Sequence, residues 1–181
     1  MGNGNGALAQ MASSGTRRAV FLDRDGVLIR THVRNGKPYA VALGDAIEIL
    51  DGVAEACSAL HKLGYLLVMV TNQPDVARGK TPKSFVDDTN AKLAKALALD
   101  AICVCFHDDA DDCNCRKPKS GLITDYATRE RIELSESIVV GDRWRDIEAG
   151  KRAGCRSVFI DCGYNEALLS VPDHTATSLN D

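Results

Sequence analysis

No stretch of this sequence approaches the ~20 consecutive apolar residues that a membrane-crossing helix needs; the longest apolar run, 66–70, has the length of a strand. An excess of one charge is also missing. The chain carries 22 Lys and Arg against 25 Asp and Glu, so bulk charge builds no polyanion-binding face, and neither nucleic acid nor a membrane is an expected partner. Repeats are absent, and no Gly-x-Gly-x-x-Gly fingerprint follows the first apolar run, which argues against a dinucleotide-dependent oxidoreductase. The first 17 residues are rich in Gly, Asn, Ala and Ser and lack both the apolar block of a signal peptide and any helical or strand period. They are expected to be a disordered leader, with Met11 offering a second start. Residues 18–181 hold about enough apolar material for one compact domain, and a soluble, cytoplasmic monomer is expected.

The cysteines are seven, an odd number, and four fall between Cys103 and Cys115 beside His107. Without a secretion signal the thiols should stay reduced, so the cluster suggests metal rather than disulfides. Cys57, Cys155 and Cys162 are expected as small buried apolar residues. Cys105, His107, Cys113 and Cys115 supply three thiolates and an imidazole, a closed tetrahedral Zn²⁺ set with no position left for water, hence a structural site. Arg116 and Lys117 follow at once, so a clamped loop would fix where the lysine points. Cys103 shares the strand parity of Cys105 but lies further back and is assigned to the core.

Short apolar runs at 19–22, 66–70, 101–106, 137–140 and 157–160 alternate with amphipathic segments, the pattern of an α/β fold with a mainly parallel sheet of about five strands between helices. Helix signals are Asp51 as a cap for a helix ending at Gly64, Thr81-Pro82 opening a second, Ser120 a third, and a fourth from Arg145 to Gly154. Two connections, 29–46 and 107–119, are longer than such a fold requires.

Open α/β sheets bind ligands beyond the carboxyl ends of their strands. Those positions carry Asp23 and Asp25, then Thr71, Asn72 and Gln73, then the Cys/His loop with Arg116 and Lys117, then Asp142. Asp23, Asp25 and Asp142 would crowd one crevice, and carboxylates that close demand a cation; a hard ion such as Mg²⁺, shared with phosphate and water, suits them. A turn at Asp25-Gly26 explains either aspartate taken alone. It does not explain three strand ends at once.

In order, Asp23-Arg24-Asp25-Gly26, Val70-Thr71-Asn72-Gln73, Arg116-Lys117-Pro118 and Gly141-Asp142-Arg143 with Asp146 resemble the four motifs of the haloacid dehalogenase (HAD) phosphatases, over 19–160. The resemblance implies a three-layer Rossmann-like fold without a separate cap domain. It implies that Asp23 is the nucleophile forming an aspartyl phosphate, that Asp25 is acid then base, and that Lys117 offsets phosphoryl charge. It places Mg²⁺ on Asp23, Asp142 and the main-chain carbonyl of Asp25, and makes Thr71 and Asn72 uncharged donors. Asp146 either orients water near the metal or starts its helix.

The Cys-x-His and Cys-x-Cys pairs before Arg-Lys-Pro resemble the zinc-containing subfamily that acts on heptose bisphosphates or histidinol phosphate. The segment from Thr71 to Lys80 favours the heptose side; the short gap between His107 and Cys113 favours the histidinol side. Arg78, Arg116 and Arg143 could hold a second phosphate bidentately, so a sugar bisphosphate is the expected ligand, with Asn72 and Gln73 also touching it. Pro74-Asp75 and Ile29-Arg30 depart from the heptose pattern.

Overall fold

The computed structural model describes residues 16–181. Six strands, β1 (Arg18–Leu22), β4 (Tyr65–Asn72), β5 (Ala101–Cys105), β6 (Ile138–Gly141), β7 (Arg156–Ile160) and β8 (His174–Ala176), form one sheet in the order β5-β4-β1-β6-β7-β8, every pairing parallel. Four helices, α1 (Val53–Lys62), α2 (Lys83–Leu97), α3 (Gly121–Glu130) and α4 (Trp144–Ala153), cover it.

Strand alternation sorts the core into two halves. Val20, Leu22, Leu67 and Met69 point to one face, where Val53 and Cys57 of α1 and Leu93 and Leu97 of α2 meet them. Ala19, Phe21, Val68 and Val70 point to the other, against Ile123 and Ala127 of α3 and Ala149 and Ala153 of α4. The Val, Leu, Ile, Phe and Met side chains among these are each worth about 1.5–3 kcal/mol relative to exposure. The central strands read as continuous apolar runs because both faces are covered.

Several boundaries differ from the sequence reading. The first helix is capped by Gly52, at φ 76°, and not by Asp51; the second has Pro82 at its N-cap, with Thr81 outside. The fourth begins at Trp144 and ends, as expected, at Gly154 in the left-handed conformation. Strand β8 was not expected, because its three residues carry no apolar run. The long connection 29–46 contains a hairpin of β2 (His32–Arg34) and β3 (Lys37–Tyr39), turned by Asn35-Gly36 with both φ angles positive, the Asn-Gly signature of a tight hairpin. Of the expected leader, residues 1–15 lie outside the described residues; Arg17 bridges Ile132 and pairs with Glu130. Cys57 and Cys155 are buried, but Cys162 is exposed, its thiol 3.6 Å from the Gly26 carbonyl.

Candidate active site

The register of the sheet brings the motifs together. Leu22 of β1 lies beside Met69 and Val140, so Asp23, Thr71 and Asp142 all fall within two residues of that level, at the carboxyl end of the sheet. The Asp23 amide donates to the Val140 carbonyl (3.0 Å), extending the ladder one residue past the strand. A cleft of about 310 Å³ opens there, and Asp23, Asp25, Thr71, Lys117, Asp142 and Asp146 all line it.

Lys117 organises the floor. Its side chain is buried, and its Nζ donates to Asp23 Oδ1 (2.9 Å), Asp146 Oδ1 (2.6 Å) and the Val70 carbonyl (2.9 Å), which uses all three protons. Burial alone would lower its pKa, but the charges of Asp146 and Asp23 outweigh that and raise it, so it stays an ammonium. Asp23 Oδ1 also accepts from the Arg24 amide (2.8 Å), which leaves Oδ2 without a donor among the described residues.

Oxygens of Asp23, Asp142 and Asp146 lie within 4.8 Å of one another. One ammonium cannot neutralise three buried carboxylates. Both oxygens of Asp142 are buried without a hydrogen-bond partner, and burial, then the charges of Asp23 and Asp146, push its pKa well up. Asp146 is pushed up to about 6, chiefly by burial and against the pull of Lys117. An orphaned carboxylate in a site with excess negative charge is what a hard divalent cation fits. Gly26 makes the approach possible: at φ 88°, a Cβ there would stand 2.0 Å from Asp142 Oδ2.

Asp25 stands apart from this group. Its carboxylate turns to Arg24 and Gln73 and stays out of the cluster, whose third acid is Asp146, which corrects the expectation that the carboxylates of Asp23, Asp25 and Asp142 crowd together. Asp146 also starts its helix, accepting from the Arg143 amide (3.1 Å), so it serves the helix and the lysine together.

Two of the expected substrate contacts have partners within the protein, and of these Asn72 also lines the cleft. The Asn72 amide grips the Lys117 backbone, donating to its carbonyl and accepting from its N–H, both at 3.1 Å. Gln73 is buried and donates to Asp25 Oδ2 (2.8 Å) and Thr71 Oγ1 (3.0 Å). Arg78, Arg116 and Arg143 do reach the rim of the cleft, joined by Arg145. Each has a carboxylate partner: Arg78 has Asp108 and Asp75 (3.2 Å), Arg116 has Asp109 (2.8 Å), Arg143 has Glu166 (2.9 Å) and Arg145 has Asp109 (3.3 Å). Thr31, Pro38 and Tyr39 of the hairpin region, together with Pro74 and Asp75, also line the cleft.

The Cys/His loop closes as expected. The Cys105–Cys113, Cys105–Cys115 and Cys113–Cys115 sulfur separations are 3.7, 3.2 and 3.3 Å, and His107 Nδ1 lies 3.7 and 3.2 Å from Cys105 and Cys115. A tetrahedron with bonds of ~2.3 Å to sulfur and ~2.0 Å to nitrogen has edges of about 3.5–3.8 Å, so one ion fits at the centre after slight expansion. Cys103 packs against the core beside α3.

Sequence reasoning missed Arg24, Asn90, Tyr164 and Glu166. Arg24 is 1% exposed and sits among the acids. The Tyr164 hydroxyl is buried against Gly26 and close to Asp142. Neither tyrosine nor glutamate belongs to a motif, and both come from the connection after β7, where no pattern distinguishes a wall from a loop.

A carboxylate with one oxygen free beside a buried lysine, a cation-demanding group of acids and a further carboxylate two residues on define a class. The chain belongs to the haloacid dehalogenase-like hydrolases, whose family pattern it matches over residues 32–154. Among these it is similar to phosphatases. It is 37% identical over 148 residues to the D-glycero-β-D-manno-heptose-1,7-bisphosphate 7-phosphatase of Haemophilus influenzae, covering 74% of this chain and 75% of that one. The enzyme of the same name from Neisseria meningitidis is 30% identical over 168 residues, 87% of each. Among solved structures, the D,D-heptose 1,7-bisphosphate phosphatase of B. bronchiseptica with magnesium and phosphate superposes with a TM-score of 0.77 at 30% identity, covering 90% of this chain and 94% of that one.

Proposed function

We propose that this chain hydrolyses a phosphate ester of a phosphorylated sugar through a phospho-aspartate at Asp23, and that its substrate is D-glycero-D-manno-heptose 1,7-bisphosphate, cleaved at the 7-phosphate. The observation that carries the reading is the arrangement around Asp23. One oxygen is held by Lys117 and the Arg24 amide; the other is free at the base of the cleft.

The free Asp23 oxygen attacks phosphorus, and the bond to the sugar oxygen breaks as the new one forms. Asp25 gives its proton to the departing oxygen. A water then attacks the acyl phosphate, Asp25 takes its proton, and orthophosphate and the Asp23 carboxylate result. Lys117 keeps positive charge beside the acceptor, and Thr71 lines the cleft as an uncharged donor. Asp23, Asp142 and the Asp25 carbonyl would hold Mg²⁺, with Asp146 close behind; when bound, the ion offsets the charge of the phosphoryl oxygens. Asn72 fixes the Lys117 backbone and also lines the cleft, where it is an uncharged contact for the substrate. Cys105, His107, Cys113 and Cys115 would hold Zn²⁺, which when bound would fix the loop that delivers Arg116 and Lys117.

Arg78, Arg116, Arg143 and Arg145 on the rim suit a second phosphate better than an amine, which supports the bisphosphate over histidinol phosphate. The names of the relatives favour the same choice. The reading includes a cytoplasmic monomer; the seven cysteines, none in a disulfide, suit a reducing compartment. The test is phosphate release from both heptose anomers, histidinol phosphate and simple sugar phosphates, with and without Mg²⁺. Selective turnover of the bisphosphate, lost in Asp23→Asn, is expected; comparable turnover by that variant would remove the nucleophile, and preference for histidinol phosphate would remove the substrate.

A further inference from the structure

Arg24 is among the largest fully buried side chains of the protein, yet nothing in the reaction so far uses its guanidinium. Burying a guanidinium costs several kcal/mol unless good geometry repays it. Here Nε donates to Asp25 Oδ2 (3.1 Å), Nη2 to Asp25 Oδ1 (3.2 Å) and Nη1 to Asn90 Oδ1 (3.0 Å). Asp25 is the sole carboxylate paired with Arg24 among the described residues. Asn90 comes from α2, is itself buried, and has its own Nδ2 without a partner, so its carbonyl end is turned to the arginine at the expense of its amide.

The pattern on Asp25 is asymmetric. Oδ2 accepts two bonds, from Arg24 Nε and Gln73 Nε2, whereas Oδ1 accepts one. Oδ1 therefore keeps a lone pair for a proton, and the side chain, 15% exposed, reaches the cleft on which Arg24 does not open. A fork of planar donors fixes both the position and the rotation of a carboxylate, which an ammonium or an amide cannot do.

We infer that Arg24, braced by Asn90, is a positioning residue that holds the Asp25 carboxylate at the place and rotation needed to pass a proton to the leaving oxygen. This rests on the assignment of Asp25 as the acid, and a leaving-group test separates the two. The quantity kcat/KM reports only the steps through formation of phospho-Asp23, in which the sugar oxygen needs a proton and p-nitrophenolate or acetate does not. In the Mg²⁺-loaded enzyme, Asp25→Asn should lower kcat/KM for the heptose bisphosphate by about 100-fold or more, the usual share of acid catalysis, and for p-nitrophenyl phosphate or acetyl phosphate by only a few fold. Arg24→Lys, which keeps the charge and loses the fork, should show the same selectivity with a loss of at least about tenfold on the sugar ester. Asn90→Ala should shift in the same direction, and carries the test should Arg24→Lys not fold. Equal losses on both kinds of ester in the Arg24 and Asn90 variants, alongside a selective Asp25→Asn, would overturn the positioning role alone. A non-selective Asp25→Asn would overturn the acid assignment and this inference with it.

Discussion

Lys117 and Asp146 form a buried ion pair, Nζ to Oδ1 at 2.6 Å, between the end of the Cys/His loop and the first turn of α4. The pair ties the ammonium beside Asp23 to the helix that follows Asp142 and carries Asp146. Gly141 permits it, since a Cβ there would stand 2.0 Å from that of Asp146. Lys117→Met strips the compensating charge from Asp23 and Asp146 together. Removing one partner of a buried pair costs about 3–5 kcal/mol, so the Mg²⁺-free variant should be less stable by that order. Added Mg²⁺ should recover part of the loss in urea denaturation, while turnover falls by more than about 100-fold.

Asp142 gives the opposite balance. Burial and the neighbouring acids raise its pKa, so in Mg²⁺-free protein its ionisation opposes folding. A carboxyl raised by folding contributes fully below its unfolded pKa, near 4, and that contribution is lost as pH rises. Asp142→Asn should therefore match or exceed the wild type in melting temperature without Mg²⁺ at pH 7, with the advantage shrinking towards pH 4. The same variant should show no melting shift on adding Mg²⁺ and no measurable turnover. A gain of stability with loss of chemistry marks a residue kept for the ion it binds.

The Cys/His loop should make catalysis depend on a metal that takes no part in it. Chelation, or Cys113→Ser, should release about one Zn²⁺ per chain and lower the melting temperature, as expected for a closed tetrahedral site. Because Arg116 and Lys117 leave the loop directly, kcat should fall as well, with Mg²⁺ still able to protect the Asp23–Asp142 cluster against denaturation. Zinc analysis and calorimetry on the same samples check both parts.

Asp23, Asp142, the lysine and the Cys/His group were legible because each lies at a strand end or in a short spacing, where chain connectivity nearly dictates proximity; Asp146 takes the place expected for the Asp25 carboxylate. The alternating runs gave five strands for the same reason. What escaped was long-range or locally ambiguous. Asn90 reaches Arg24 across 66 residues, and Glu166 reaches Arg143 across 23. Arg24 reads as a spacer between two aspartates, since no local pattern tells a solvated arginine from a buried one. Asn35-Gly36 is a hairpin signal, but its flanks, His-Val-Arg and Lys-Pro-Tyr, lack the alternation that would have supported it.

The rim arginines were read from sequence as open to a second phosphate, and their carboxylate partners sharpen that into a testable competition. Arg78 Nε donates to Asp108 Oδ2 (2.8 Å), and that bond, followed by the Asp109 amide, holds the Asp108 carboxyl down at about 2. A depressed carboxyl contributes stability above its unfolded pKa, near 4, and loses it as pH falls through the folded value. The stability difference between wild type and Asp108→Asn should thus be small, salt-sensitive and positive at pH 7, and should fade as pH drops from 4 towards 2. The same variant removes the nearest carboxylate from Arg78 and leaves Asp75 (3.2 Å), so its KM for the bisphosphate should fall while its KM for a sugar monophosphate stays put. Arg78→Ala should raise the first KM and spare the second. If both variants leave the two KM values unchanged, Arg78 serves only to tie the loop after β4 to the zinc loop, and the second phosphate lies against Arg116, Arg143 or Arg145.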